Sequence, residues 1–176
     1  MRRRPTLQEV FTRKSLKVIV NQHIRLLPGV LELVTECRAS GRLILGLLTG
    51  NFQSRALAKL QKVGLTEYFE VGAFGDDRLD RNDLPKIAQE NIYERFHLAF
   101  DPTKIVIFGD TPNDIVCAKR FGACAVAVAT GPYSADVLKV WDPDLLLPDL
   151  QDKTKVIEFV NSRVQSGARD DKQGCV

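Results

Sequence analysis

The run Val106-Ile107-Phe108-Gly109-Asp110-Thr111-Pro112-Asn113-Asp114 joins an apolar, β-branched segment to two carboxylates across a short turn. It predicts a buried parallel strand that delivers Asp110 to its carboxyl end, where open α/β sheets bind their ligands. Asp110 and Asp114 stand four residues apart, a spacing that lets both face one hard cation such as Mg²⁺. The plainer alternative is that Asp114 caps the helix that follows. A second apolar run, Leu43-Ile44-Leu45-Gly46-Leu47-Leu48, closes in Thr49-Gly50-Asn51. It offers a hydroxyl and backbone N–H groups ahead of a helix whose start favours anions. Helix capping is the alternative for Thr49 and for Asn51. Between the two runs stand Arg81 and Lys86, close to Asp76-Asp77, although a lone basic residue near a helix start is ordinarily solvated surface. Together these groups are what phosphate handling requires. The cation neutralises phosphate oxygens, the hydroxyl hydrogen-bonds them, and the carboxylates hold Mg²⁺.

The elements that would position these groups alternate between helix and short apolar strand, the pattern of a parallel α/β sheet. Pro28-Gly29 opens a helix with Val30, Leu31, Leu33, Val34 and Cys37 at helical spacing, and Gly41 stops it. Residues 43–48 read as a buried strand, 54–63 as a helix turning Ala56, Leu57 and Leu60 inward, and 68–75 as a strand and turn. Helices are expected over 84–96 and 112–121, the second ending at Gly122, with a strand over 104–108 between them. Strands over 125–129 and 145–147 and a helix over 154–164 complete the pattern. From Ser166 onward the chain is polar and reads as a frayed tail. Tyr133 and Trp141 fall in loop-like segments and are expected to pack there, and His97 reads as a helix-end surface residue.

At 176 residues, with 44% hydrophobic and 27% charged residues, the composition is that of one globular domain. A net charge of +3 gives no argument for nucleic acid as a partner, and no apolar run reaches the length of a membrane span. These features predict a soluble, cytoplasmic protein. The basic start, Arg2, Arg3, Arg4, Arg13, Lys14 and Lys17 against Glu9, leaves an organellar targeting segment or an exposed basic helix as alternatives. Cys37, Cys117, Cys124 and Cys175 have no metal-ligand spacing, which points to buried thiols in a reducing compartment and no structural metal.

With those motifs in this order, the chain resembles the haloacid dehalogenase (HAD) superfamily of hydrolases, in the phosphoglycolate phosphatase-like branch. Leu47-Leu48-Thr49-Gly50-Asn51 is similar to the family's second motif, whose Thr holds the transferred phosphoryl group. Phe108-Gly109-Asp110-Thr111-Pro112-Asn113-Asp114 is similar to the fourth, whose first Asp ligates Mg²⁺ and whose second supports the site. Ala129-Thr130-Gly131 and Leu147-Pro148-Asp149-Leu150 also sit where such phosphatases have similar segments. The family's third motif supplies a Lys or Arg ahead of the fourth-motif strand; Arg81 fits that position best, with Lys86 as the alternative. The resemblance covers roughly residues 27 to 160. It implies a Rossmannoid three-layer α/β sandwich with a mainly parallel sheet, Mg²⁺ as cofactor and a small phosphorylated metabolite as substrate. Thr49, Gly50, Asn51 and Arg81 (or Lys86) would bind phosphate, and Asp110 and Asp114 would hold the metal.

One departure stands out. The family begins with an apolar strand ending in Asp-x-Asp, nucleophile then general acid/base, and residues 1–48 contain no Asp at all, only Glu9, Glu32 and Glu36. Without a carboxylate nucleophile no aspartyl-phosphate forms, so the chain as it stands is expected to be inactive or nearly so. The nucleophile strand lies between those ending at Thr49 and Asp110, so its loss would leave a slot flanked by unpaired ladders. The run Leu16-Lys17-Val18-Ile19-Val20-Asn21-Gln22-His23 could fill it, with Asn21 and His23 where the aspartates belong; the alternative, favoured by length and position, is the last helix of a cap domain. The expected divisions are 1–26 as an atypical segment or cap remnant, 27–164 as the core and 165–176 as a disordered tail. Two functional classes follow: a Mg²⁺-dependent phosphatase lacking its nucleophile, or a non-catalytic phosphate- and Mg²⁺-binding regulatory protein on the same scaffold. A response-regulator receiver is disfavoured, because its early acidic residues are also missing.

Overall fold

The computed structural model describes residues 24–77 and 80–165, the last two by backbone alone. Among these the elements run α1 (Val30–Ala39), β1 (Gly46–Thr49), α2 (Gln53–Lys62), β2 (Val71–Phe74), α3 (Leu84–Phe96), β3 (Val106–Gly109), α4 (Pro112–Phe121), β4 (Cys124–Val128), α5 (Ala135–Lys139), β5 (Leu145–Leu147) and α6 (Lys153–Gln165). Short 3₁₀ turns stand at Thr66–Tyr68, Arg81–Asp83 and Pro102–Lys104. The helices α3 and α4 have the bounds the sequence predicts, because each carries Pro in its first turn, where no N–H is missed. Gly122 ends α4 at a φ of 87°, a left-handed conformation that glycine adopts without strain.

Three parallel strands form one sheet in the order β3-β4-β5, and β1 and β2 form a second parallel pair. The layers can be read from β4. Its Val126 and Val128 face one core with Leu33 and Cys37 of α1, Leu147 of β5, and Val156 and Val160 of α6. Ala125 and Ala127 face the other, with Ile107 of β3, Ile115 and Ala118 of α4, and Leu138 of α5. Successive residues of a strand point to opposite faces, so helices cover the sheet on both sides. This is the three-layer α/β architecture expected.

The strand ending at Thr49 is shorter than the apolar run suggests. Its ladder extends only as far as its partner: Gly46 to Thr49 pair with Val71 to Phe74, and the Glu70 N–H donates to the Leu45 carbonyl at 2.9 Å just before. Leu43 and Leu45 still pack against the first core. No described strand lies between β1 and β3, which belong to separate sheets. The candidate for that slot, residues 16–23, and the basic start lie outside the described residues, as do the tail from Ser166 and Cys175.

Several packing expectations fail. No residue of 43–48 is buried, Phe108 of β3 and Leu57 of α2 are exposed, and Tyr133 and Trp141 are 40% and 46% exposed beside α5, which contributes only Leu138 to the core. Cys37, Cys117 and Cys124 are buried free thiols, as expected. His97 caps α3 in a left-handed conformation, φ 56°, and is exposed. No helix among the described residues is long and apolar enough to cross a membrane.

Candidate functional site

The carboxyl ends of β1 and β3, strands of two separate parallel sheets, carry the two polar motifs. Beyond β1, the Thr49 hydroxyl oxygen accepts from the Asn51 N–H at 3.1 Å and from the Asn51 side-chain amide at 3.0 Å. Neither residue caps α2: its N-cap is Phe52, which makes no side-chain capping bond. With both lone pairs engaged, the Thr49 hydroxyl still has its proton to donate. The expectation of free N–H groups in Thr49-Gly50-Asn51 needs correction at Asn51. The Asn51 N–H is taken by Thr49, and the Gln53 N–H is taken by the Asp76 carboxylate at 2.9 Å. Gly75 closes the loop from below: its N–H donates to the Asn51 carbonyl at 2.9 Å, and a side chain there would collide with the Gly50 carbonyl.

At the end of β3 the two carboxylates differ. Asp110 is half-buried and makes no hydrogen bond or ion pair among the described residues. A Cβ on Gly131 would collide with its carboxylate, so Gly131 is the wall against which that group lies. Asp114, in contrast, is fully engaged. Thr111 is the N-cap of α4, and Asp114 at the third helical position completes a capping box. One carboxylate oxygen accepts from the Thr111 N–H (3.1 Å) and hydroxyl (2.7 Å), and the other forms an ion pair with the Arg81 guanidinium. A side chain on Gly109 would collide with Asp114, so glycine at the strand end permits this close seat.

Arg81 therefore reaches Asp114 from the 3₁₀ turn Arg81–Asp83, whose start is fixed by Asp80 accepting the Asn82 N–H at 2.9 Å. Its Nη1 also lies 3.4 Å from where a Cβ on Gly50 would sit. One guanidinium thus pairs with the β3 loop and approaches the β1 loop beside Gly50, and its buried Nε has no hydrogen-bond partner among the described residues. Lys86 lies one turn farther along, exposed on α3. The structure brings Gly50, Arg81 and Asp114 together, sets Asp110 against Gly131, and leaves Lys86 in solvent.

The two carboxylates expected to hold Mg²⁺, Asp110 and Asp114, are unequally engaged. Among the described residues no group of three or more His, Cys, Asp or Glu side chains could hold a metal ion. Both oxygens of Asp114 already accept protein donors, as its capping alternative predicts. Asp110 fits as a hard, unpaired oxygen ligand, and Mg²⁺ commonly takes one or two carboxylates and completes its shell with water and substrate phosphate.

Comparison with known proteins identifies the family. The family model described as haloacid dehalogenase-like hydrolase matches residues 3–128. The chain belongs to the haloacid dehalogenase-like hydrolase family. Among curated members, phosphoglycolate phosphatase of Synechococcus elongatus is 30% identical over 135 residues, which are 76% of this chain and 60% of that protein. Phosphoglycolate phosphatase of Salmonella typhi is 28% identical over 145 residues, 82% of this chain and 56% of that one. The chain thus spans little more than half the length of these relatives. The crystal structure of β-phosphoglucomutase from Clostridium difficile superposes with a TM-score of 0.67, covering 92% of this chain and 69% of that one at 13% identity, a likeness of fold. In this HAD-like chain both strand-end motifs fall inside the matched residues, and Gly131 falls just beyond them.

Sequence reasoning missed two contributors, Thr111 and Gly75. Thr111 was legible as a capping residue, since Thr-x-x-Asp ahead of an apolar helix is a capping-box pattern. Gly75 carried no local signal, because what constrains it is backbone distant in sequence; Gly131 falls in the segment Ala129-Thr130-Gly131 that the resemblance already singled out, but its contact with Asp110 was not foreseen.

Proposed function

We propose that these residues form the phosphate- and Mg²⁺-binding core of a HAD-family phosphatase for a small phosphorylated metabolite of the phosphoglycolate kind. The observation that carries this reading is Arg81, whose guanidinium lies against Gly50 and is held by Asp114. In this reading the Thr49 hydroxyl donates to a phosphate oxygen, Gly50 and Asn51 shape the loop around it, and Arg81 neutralises it. Lys86 is the lesser candidate, because it lies in solvent one turn into α3. Asp110 would hold Mg²⁺, which when bound supplies charge neutralisation of the phosphate. Asp114 acts through Arg81 by fixing its guanidinium. The names of the curated relatives and the family match support phosphoryl chemistry on a small substrate.

Turnover is a separate matter. The first Asp of these 176 residues is Asp76, after β2, so no Asp stands ahead of the Thr49 motif to serve as nucleophile. That favours a second reading for the chain taken by itself: it binds phosphate with Mg²⁺ and does not hydrolyse the ester. The test is thermal denaturation with inorganic phosphate and Mg²⁺, paired with release of phosphate from phosphoglycolate. A ligand at a hundredfold excess over its Kd stabilises by about 2.7 kcal/mol, a rise of roughly 5–10 °C for a chain of this size. Arg81→Ala is expected to abolish most of that rise and Lys86→Ala to keep it. No rise in the parent chain overturns the binding reading, and metal-dependent turnover that Asp110→Asn removes overturns the inactive one.

A further inference from the structure

The helix α4 holds Arg81 at two points, and only one of them is the ion pair. Cys117 lies one turn beyond Asp114 on the same face of α4, since residues three apart on a helix are neighbours. Its side chain is 1% exposed, and its thiol donates to the Arg81 backbone carbonyl at 3.4 Å. The same carbonyl accepts the Leu84 N–H that ends the 3₁₀ turn, so both of its lone pairs are used. Burial pushes the Cys117 thiol above its usual range, against the opposing pull of Arg81, and so keeps the proton that makes the bond. The Arg81 backbone is thereby tied to α4 at Cys117 and its guanidinium at Asp114. Both contacts act on Arg81 from the same helix.

We propose that Cys117 is a positioning residue for the anion site, acting through the Arg81 carbonyl to set the guanidinium between Gly50 and Asp114. The affinity consequence rests on the reading of Arg81 as the phosphate's cation; the positional consequence does not. A weak S–H donor is a second-order contact, so its loss is expected to weaken binding by about two- to five-fold.

The experiment compares the full chain with Cys117→Val, which fills the space and removes the donor, and Cys117→Ser, which keeps a donor. Two quantities are read: the NMR signal of the Arg81 Nε–H in the ligand-free chain, and the Kd for inorganic phosphate in the presence of Mg²⁺. Cys117→Val is expected to shift or broaden the Arg81 signal and raise the Kd, and Cys117→Ser to hold both near the parent values. Cys117→Ala serves in place of Val if the latter does not fold. An Arg81 signal unmoved by loss of the donor overturns the positioning inference, whatever the phosphate result. A moved signal with no phosphate binding by the parent chain, or with binding that Arg81→Ala leaves intact, upholds the positioning and sinks the phosphate reading instead.

Discussion

The two readings of Asp114 predict opposite signs for one substitution. Its oxygens accept from the Thr111 N–H, the Thr111 hydroxyl and the Arg81 guanidinium, and its side chain is 8% exposed. An ionised carboxylate is acceptor-only. Asn at this position keeps the size but replaces one acceptor by an N–H donor. Turned either way, it faces the Thr111 N–H or the guanidinium with a donor. Loss of the cap costs about 1 kcal/mol. The ion pair adds about 0.5–1 kcal/mol, discounted because Arg81 is 40% exposed, and a buried donor left unpaired adds about 1 kcal/mol more. The Asp114→Asn chain should therefore be less stable by about 2–3 kcal/mol, with a Tm lower by roughly 5–10 °C. The assay is calorimetry at pH 7 in EDTA. If Asp114 were instead a metal ligand stripped of its cation, Asn would relieve an uncompensated buried charge and raise the Tm. A rise, or no change, in EDTA refutes the capping and ion-pair account.

Gly131→Ala places a methyl group inside contact with the Asp110 carboxylate at an exposed position whose backbone needs no left-handed conformation. Because the methyl would also press on Asp110 Cβ, melts should show the ligand-free chain destabilised by about 1–3 kcal/mol, together with loss of the Mg²⁺-dependent part of any phosphate-induced rise. The thiols of Cys37, Cys117 and Cys124 are all pushed up by burial. With Cys175 replaced by Ser, alkylation at pH 8 should be slow in the folded chain and fast in denaturant; rapid folded-state labelling would contradict their burial. Because these folded-state values are raised, the stability the thiols contribute is present below the ordinary thiol value and lost as pH rises through the raised ones. Melts taken between pH 8 and 10.5 should therefore show a falling Tm that Cys37→Ala, Cys117→Ala and Cys124→Ala each lessen.

Much of the scaffold was legible because its punctuation is local. Pro112 and Gly122 bracket α4, the apolar triplet Leu145-Leu146-Leu147 is β5, and the bounds of α3 coincide with the periodic segment 84–96. What was lost was short or distant. The five residues of α5 bury only Leu138, too little for a helical period to register, although Ser134 accepts the Val137 N–H as a capping residue would. The length of β1 depends on where β2 begins, which no residue of β1 encodes. The site divides in the same way. Residue types at the strand ends announced an anion and a cation site, but which basic residue approaches Gly50 is decided by a turn some thirty residues on. Nothing local to Asp114 says that its third donor is Arg81 rather than a metal.

Arg81 itself poses a question of magnitude. A half-exposed ion pair contributes about 0–1 kcal/mol. The same side chain keeps a buried Nε–H without an acceptor, which costs about 1–3 kcal/mol. Taken alone, these contacts make the guanidinium neutral or unfavourable for the fold, so stability does not account for it. Nor does the shape of the loop, since Gly50 leaves room for it and offers no side chain to pack. A donor held unpaired between two strand-end loops is the arrangement expected where a ligand is to bring the acceptor. Lys86 is different: its ammonium is solvated at no cost and gains nothing from being where it is. What supports Arg81 as the anion's partner is therefore less its attraction to Asp114 than the stability the chain forgoes by keeping it there.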